Sequence, residues 1–195
     1  MPIHVDKKGI RALGISESFI KGFSERSVLA GVVLRSDMIL DGFSFSTTRV
    51  GGMDSTEKII ELYTAMERDD ITILLLNGCV ISWYNVVDLH YLNQELETPL
   101  ICVTYETSDG LEKYFKEYFP DEWQSRVRIY HKNGRRIALR LRTGHIIYVR
   151  FLGMSNDEAS RILDKFTLHG AISEPLRIAR LLARSLMRSY QIYNI

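Results

Sequence analysis

The sequence predicts a mixed α/β sheet: a meander of three antiparallel strands, then a strand–helix–strand unit, with helices on the flanks. Two observations carry this. Three apolar runs, IRALGIS (10–16), SVLAGVVL (27–34) and MILDGFSFSTTRV (38–50), follow closely, the last two split by the turn residues Arg35-Ser36-Asp37. Then ITILLLN (71–77) and PLICVTY (99–105) bracket a helical pattern, NVVDLHYLNQEL (85–96). A crossover helix between two buried strands makes those strands parallel.

Each element has its own reason. Phe43, Phe45 and Thr47 alternate with smaller residues, the period of a strand with two unlike faces. In GGMDSTEKIIELYTAMERDD (51–70), Asp54 and Glu57 are spaced as a capping box. Ile59, Ile60, Leu62, Tyr63 and Met66 then form one helical face. DGLEKYFKEY and PDEWQSRVRIYHK read as helices, and RRIALRLRTGHIIYVRFLG as a hairpin turning at Thr143-Gly144. SNDEASRILDKF (155–166) is a helix capped by its Ser or Asn. EPLRIARLLARSLMRSY (174–190) is a longer helix with Pro175 in its first turn. With no repeat, low-complexity run or linker, residues 1–195 read as a single domain.

The composition is that of an ordinary globular protein, 46% hydrophobic and 25% charged. The N-terminus has no apolar signal region and no run is long enough to span a membrane, so the expected location is the cytoplasm. Cys79 and Cys102 both sit in apolar runs and read as distant, reduced core thiols. The net charge of +1 hides a split. Residues 1–122 carry 11 Lys/Arg and 20 Asp/Glu, and residues 123–195 carry 14 and 4. Such a basic half suits a polyanion partner, and equally suits pairing with the acidic half.

Several chemistries are excluded by missing motifs. There is no GxGxxG, Walker A or GxSxG, and the five histidines lack metal-ligand spacing. Gly51-Gly52 is read as a turn rather than an anion site. Trp83-Tyr84 suits either base stacking or core packing. In LLLNGCVISWYN (74–85), three leucines run into Asn77-Gly78, the way a buried strand ends in an α/β protein. Glu17, Asp54, Glu57, Asp88 and Glu174 lie near element ends. If the first and fourth strands are neighbours, these acids can converge and hold Mg²⁺ or Mn²⁺ for phosphodiester hydrolysis. Asp54, Asp88 and Glu174 are also well placed as helix N-terminal acids. Arg177, Arg180, Arg184 and Arg188 form a stripe on the last helix, beside an apolar face of Leu176, Ala179, Leu182, Ala183 and Leu186. The stripe suits phosphate contacts or a solvated face.

Three antiparallel strands, a βαβ unit and then helices is the order of a ribonuclease H-like fold. Moreover, LLLNGCVISWYNVVDLHYLNQELETPLICVTYE, VGGMDSTEKIIEL and HGAISEPLRIARLLARSL resemble the archaeal endonuclease dU family, in the family's order and over nearly the whole chain. That family is similar to endonuclease V. The resemblance implies an endonuclease V-like domain and a Mg²⁺- or Mn²⁺-dependent enzyme cutting DNA near a deaminated base, uracil above all. The base would be extruded and read on its Watson–Crick edge. Carried over by position, the family's acids fall at Ser16-Glu17, at Asp54 or Glu57, and at Asn77, with Asp88 close by. Glu17, Glu57 and Asn77 would hold the metal, and Arg177, Arg180 and Arg184 the DNA backbone. Two positions depart from the pattern: Ser16 and Asn77 stand where the family has aspartates. Those departures motivate the alternative, a catalytically weakened nucleic-acid-binding protein on the same fold.

Overall fold

The computed structural model describes residue 7 and residues 9–193, without the side chains beyond residue 190. His4 lies outside the described residues. Seven strands form one sheet in the order β3-β2-β1-β4-β7-β9-β8. β1 (Arg11–Ser18), β2 (Arg26–Arg35) and β3 (Leu40–Arg49) are the antiparallel meander. β4 (Ile73–Asn77) joins β1 in parallel, and β7 (Leu100–Thr104) joins β4 in parallel. β8 (Ile137–Arg140) and β9 (Ile146–Leu152) add the predicted hairpin to β7. A two-residue pair, β5 (Val80–Ile81) with β6 (Asn85–Val86), leads from β4 into α2.

Helices cover both faces, because β1 and β4 are apolar on both. Leu13, Ile15, Leu74 and Leu76 bury one face against α1 (Ser55–Thr64) and α2 (Leu89–Leu96). Ala12, Ile73 and Leu75 bury the other with α5 (Asn156–Phe166) and the start of α6 (Glu174–Tyr193). α3 (Glu112–Tyr118) and α4 (Trp123–Lys132) pack on one another beyond β7. The first turn of α6 lies directly on β1: a Cβ on Gly14 would come within 2.5 Å of the Pro175 backbone. Only glycine permits that approach.

Three expectations need correction. Asp54 and Glu57 form no capping box on α1. The Asp54 carboxylate makes no cap bond and accepts instead from the Thr48 hydroxyl and the Asn85 amide, at 2.6 and 2.8 Å. Tertiary partners outbid the local one. The helix predicted from residue 85 starts at Leu89, since Asn85 and Val86 are drawn into the β5–β6 pair and Asp88 caps the helix through the Tyr91 amide. On α6 the buried stripe is Leu176, Ala179, Ala183 and Met187, with Leu186 exposed at its edge. The capping box does form at α5, between Ser155 and Glu158.

Candidate functional site

Strand parity decides what meets what at the carboxyl ends of β1 and β4. Ser16 and Asn77 follow the register pair Ile15–Leu76 and both face α6. The Ser16 hydroxyl is buried and donates to the Leu176 carbonyl at 3.1 Å. Glu17 faces the opposite side, with Leu13 and Ile15. Ser27 donates to it at 2.7 Å. Burial nevertheless pushes its carboxyl above the usual range. Ser16, Glu17 and Asn77 meet only around a recess of about 10 Å³, with room for one water at most.

The other predicted acids are spent elsewhere. Asp54 holds the β3–α1 turn together. Although part-burial opposes it, bonds from Thr48, Asn85 and the Arg49 amide keep its carboxyl below the usual range. Asp88 caps α2 and accepts from Lys132 at 2.7 Å. Burial opposes its ionisation, and the Lys132 and Tyr91 bonds prevail, so its pKa is lowered. Glu57 is exposed on α1. Among the described residues, no three or more His, Cys, Asp or Glu side chains stand close enough to hold a metal ion. A hard divalent cation wants several anionic oxygens. The strand ends offer a hydroxyl committed to a carbonyl, an amide, and one glutamate pushed toward its neutral form. This donor set does not fit Mg²⁺ or Mn²⁺.

The cleft beside them has the opposite charge. At the carboxyl ends of β4 and β7 lies an opening of about 670 Å³ that includes Asn77, Tyr105, Arg136, His145, Arg150 and Arg180 in its lining. Val80, Val103 and Ile172 supply apolar wall. Arg136 donates to the carbonyls of Glu106 and Ser108, at 3.0 and 2.9 Å, and pins the loop over the cleft. Arg150 is 8% exposed and donates to the Gly134 carbonyl at 2.8 Å, with Cys79 Sγ at 3.5 Å. Arg180 is half-buried and makes no ion pair among the described residues. Beside it, the buried Tyr105 hydroxyl has no hydrogen-bond partner. Burial pushes that phenol up, so it stays a donor, while the Arg180 charge acts the other way. Cation, orphan hydroxyl and free amide together suit a phosphate ester with an attached ring.

Of the predicted backbone arginines, Arg180 alone lines this cleft. Arg177 is paired with Glu174, and Arg184 is exposed on α6. Arg136, Arg150 and Tyr105 were not singled out from sequence as site residues. The signals were present: an acid-free basic stretch, and a tyrosine at the end of an apolar strand. Trp83 and Tyr84 pack rather than project. Tyr84 stacks with Tyr118 at 5.6 Å, and Lys21 Nζ lies 4.1 Å from the Trp83 ring centre. Gly51-Gly52 makes a turn whose carbonyls accept from Arg126. The two cysteines are neighbours in the core.

The fold places the chain among proteins shaped like endonuclease V. Endonuclease V of Ciona intestinalis, solved with inosine-containing DNA, superposes with a TM-score of 0.64 at 16% identity, covering 93% of this chain and 87% of that one. Human endonuclease V gives 0.64 at 19% identity, covering 94% and 86%. An Archaeoglobus fulgidus protein of unknown function gives 0.79 at 24% identity, covering 91% and 98%. The chain belongs to the endonuclease dU family, whose model matches residues 8–187. Among its relatives are the UPF0215 proteins of Pyrobaculum aerophilum, 32% identical over 88% of this chain and 91% of that one, and of Methanothermobacter thermautotrophicus, 33% identical over 91% and 87%. Among the described residues, no helix is long and apolar enough to cross a membrane.

Proposed function

We propose that this member of a nuclease family binds DNA in the cleft at the ends of β4 and β7. Arg180 and the Tyr105 hydroxyl hold a backbone phosphate, and Asn77 faces the attached base. The observation that carries this is the unpaired Arg180 beside an orphaned, buried Tyr105 hydroxyl in a cleft edged by further arginines. Arg136 and Arg150 add field without leaving their carbonyl partners. Binding to a labelled uracil-containing oligonucleotide, followed by anisotropy, should weaken steeply with salt. It should fall tenfold or more in Arg180→Glu and stay unchanged in EDTA. Unchanged affinity in both Arg180→Glu and Tyr105→Phe would overturn this reading.

The family match over residues 8–187 favours a second reading, Mg²⁺- or Mn²⁺-dependent cleavage of deoxyuridine DNA. It would rest on Glu17, Asp54, Glu57, Asn77 and Asp88, with a metal at Glu17, Glu57 and Asn77. The dispersal of these groups counts against it. Nicking that needs the metal and is lost in Glu17→Ala would establish it, and Asn77→Asp should then tighten the metal. No nicking under either metal leaves the binding reading.

A further inference from the structure

The sheet ends in two edges that are built differently. β8 is four residues long, flanked by Arg135, Arg136 and Arg142, and carries Arg140. Short length and charge are how soluble proteins keep an edge from pairing with another chain. β3 has neither. It is ten residues long, and Gly42–Thr48 (GFSFSTT) carries no charge. Its apolar side chains are also uncovered: Leu40, Phe43 and Phe45 are 46%, 49% and 48% exposed.

Both phenylalanines lie on the α6 face, since they pair with Val32 and Ala30 of β2. The far end of α6 continues the patch with Leu186 and Tyr190. A groove of about 540 Å³ follows this edge. Val28, Phe45 and Thr47 form its floor, Leu186 and Tyr190 of α6 stand on one side, and Lys58 and Glu61 of α1 on the other. An extended strand laid there would meet the main-chain groups of β3 short of the Thr47 carbonyl, which Arg26 holds, and apolar surface above it.

We infer that the occupant is β3 of a second copy of this chain, paired antiparallel about a two-fold axis normal to the sheet. Such an axis keeps α6 of both copies on one face, so Phe43 and Phe45 of each pack against those of the other. The lack of charge in Gly42–Thr48 is what an isologous contact requires, because any charge there would meet its own copy. Lys58 and Glu61 bond to each other at 2.8 Å on the rim, and Arg26 at the end of the groove is turned onto the Thr47 hydroxyl and carbonyl. The contact lies across β2 and β1 from the cleft and is independent of what the cleft binds.

Light scattering on the full chain at about 10–100 µM should give twice the mass of one chain, a micromolar or tighter dimer. Amides of residues 42–48 should be protected from exchange. Phe45→Lys and Phe43→Lys should each yield monomer with those amides exposed. Both side chains are half exposed, so circular dichroism should be unchanged, and the wild-type exchange pattern is informative even if a variant misfolds. A wild-type monomer overturns the inference, whether its β3 amides exchange freely or are covered by its own chain ends. So does a dimer that survives both lysines, or capture of an extended peptide by a monomer.

Discussion

The Ser16 hydroxyl donates to the Leu176 carbonyl across 3.1 Å, tying the end of β1 to the first turns of α6. The Ser16 side chain thus holds a helix in place. An aspartate there could not donate to that carbonyl. Close by stand the Asn77 amide and a cationic cleft. The charge at this end of the sheet therefore favours phosphate over metal.

Acids at these two positions should reverse that preference. Ser16→Asp with Asn77→Asp places two carboxylates at the ends of adjacent parallel strands. Calorimetry should show Mn²⁺ binding at least tenfold tighter than in the wild type. Loss of the bond to Leu176 should cost roughly 1 kcal/mol of stability. An unchanged Mn²⁺ isotherm would remove these two strand ends from any metal chemistry.

Glu17 should make stability depend on pH. Burial raises its carboxyl above the ordinary 4.5, so the folded chain keeps a proton that the unfolded chain releases. Its contribution is full below about 4.5 and is lost as pH rises through the folded value. Glu17→Gln keeps an oxygen for Ser27 and removes the buried charge. Its melting point at pH 8 should rise by about 2–4 °C, the effect of one kcal/mol in a chain of this size. The gain should vanish below pH 4.5. A lower melting point at pH 8 would mean the charged form is stabilised.

Arg126 should be a strong stability determinant. It is fully buried, stacks on Phe119 at 3.8 Å and donates to the carbonyls of Tyr84, Gly51 and Gly52. It thereby clamps a turn in which Ser82, Trp83 and Tyr84 have φ of 46°, 59° and 63°, a region costly for side chains of this kind. Arg126→Met leaves those carbonyls unpaired and should cost about 3–5 kcal/mol in urea unfolding. The emission of Trp83 should shift as its turn loosens. A loss under 1 kcal/mol would contradict the clamp.

Cys79 should react as a thiolate near neutral pH. The hydrogen-bonded Cys102 thiol, and then the Arg150 charge, pull it down to about 7 in spite of burial. The same bond, with burial, pushes Cys102 well up. Iodoacetamide labelling at Cys79, mapped by mass, should rise with pH through about 7 and leave Cys102 unmodified. Arg150→Met should move that midpoint toward 9.0, the ordinary value. A midpoint near 9.0 in the native chain would exclude the arginine's influence.

Much of the architecture was legible in the chain. The meander, the parallel β4–α2–β7 unit and the β8–β9 hairpin follow from apolar period, length and turn residues, which are local properties. So is the strand end at Asn77, and the charge split foreshadowed a basic cleft. The partners of a polar side chain are not local. Asp54 and Glu57 have capping-box spacing, yet Asp54 turns to Thr48 and Asn85, which only the folded chain brings near. Glu17 and Ser16 are adjacent in sequence, and the pleat sends them to opposite faces. Cys79 and Cys102, 23 positions apart, become neighbours because parallel strands β4 and β7 are paired. Local pattern determined which segments are strands and helices and which end of the sheet is polar. Tertiary packing decided which charges face one another there, because that depends on strand order and side-chain direction, and it set arginines rather than acids around the cleft.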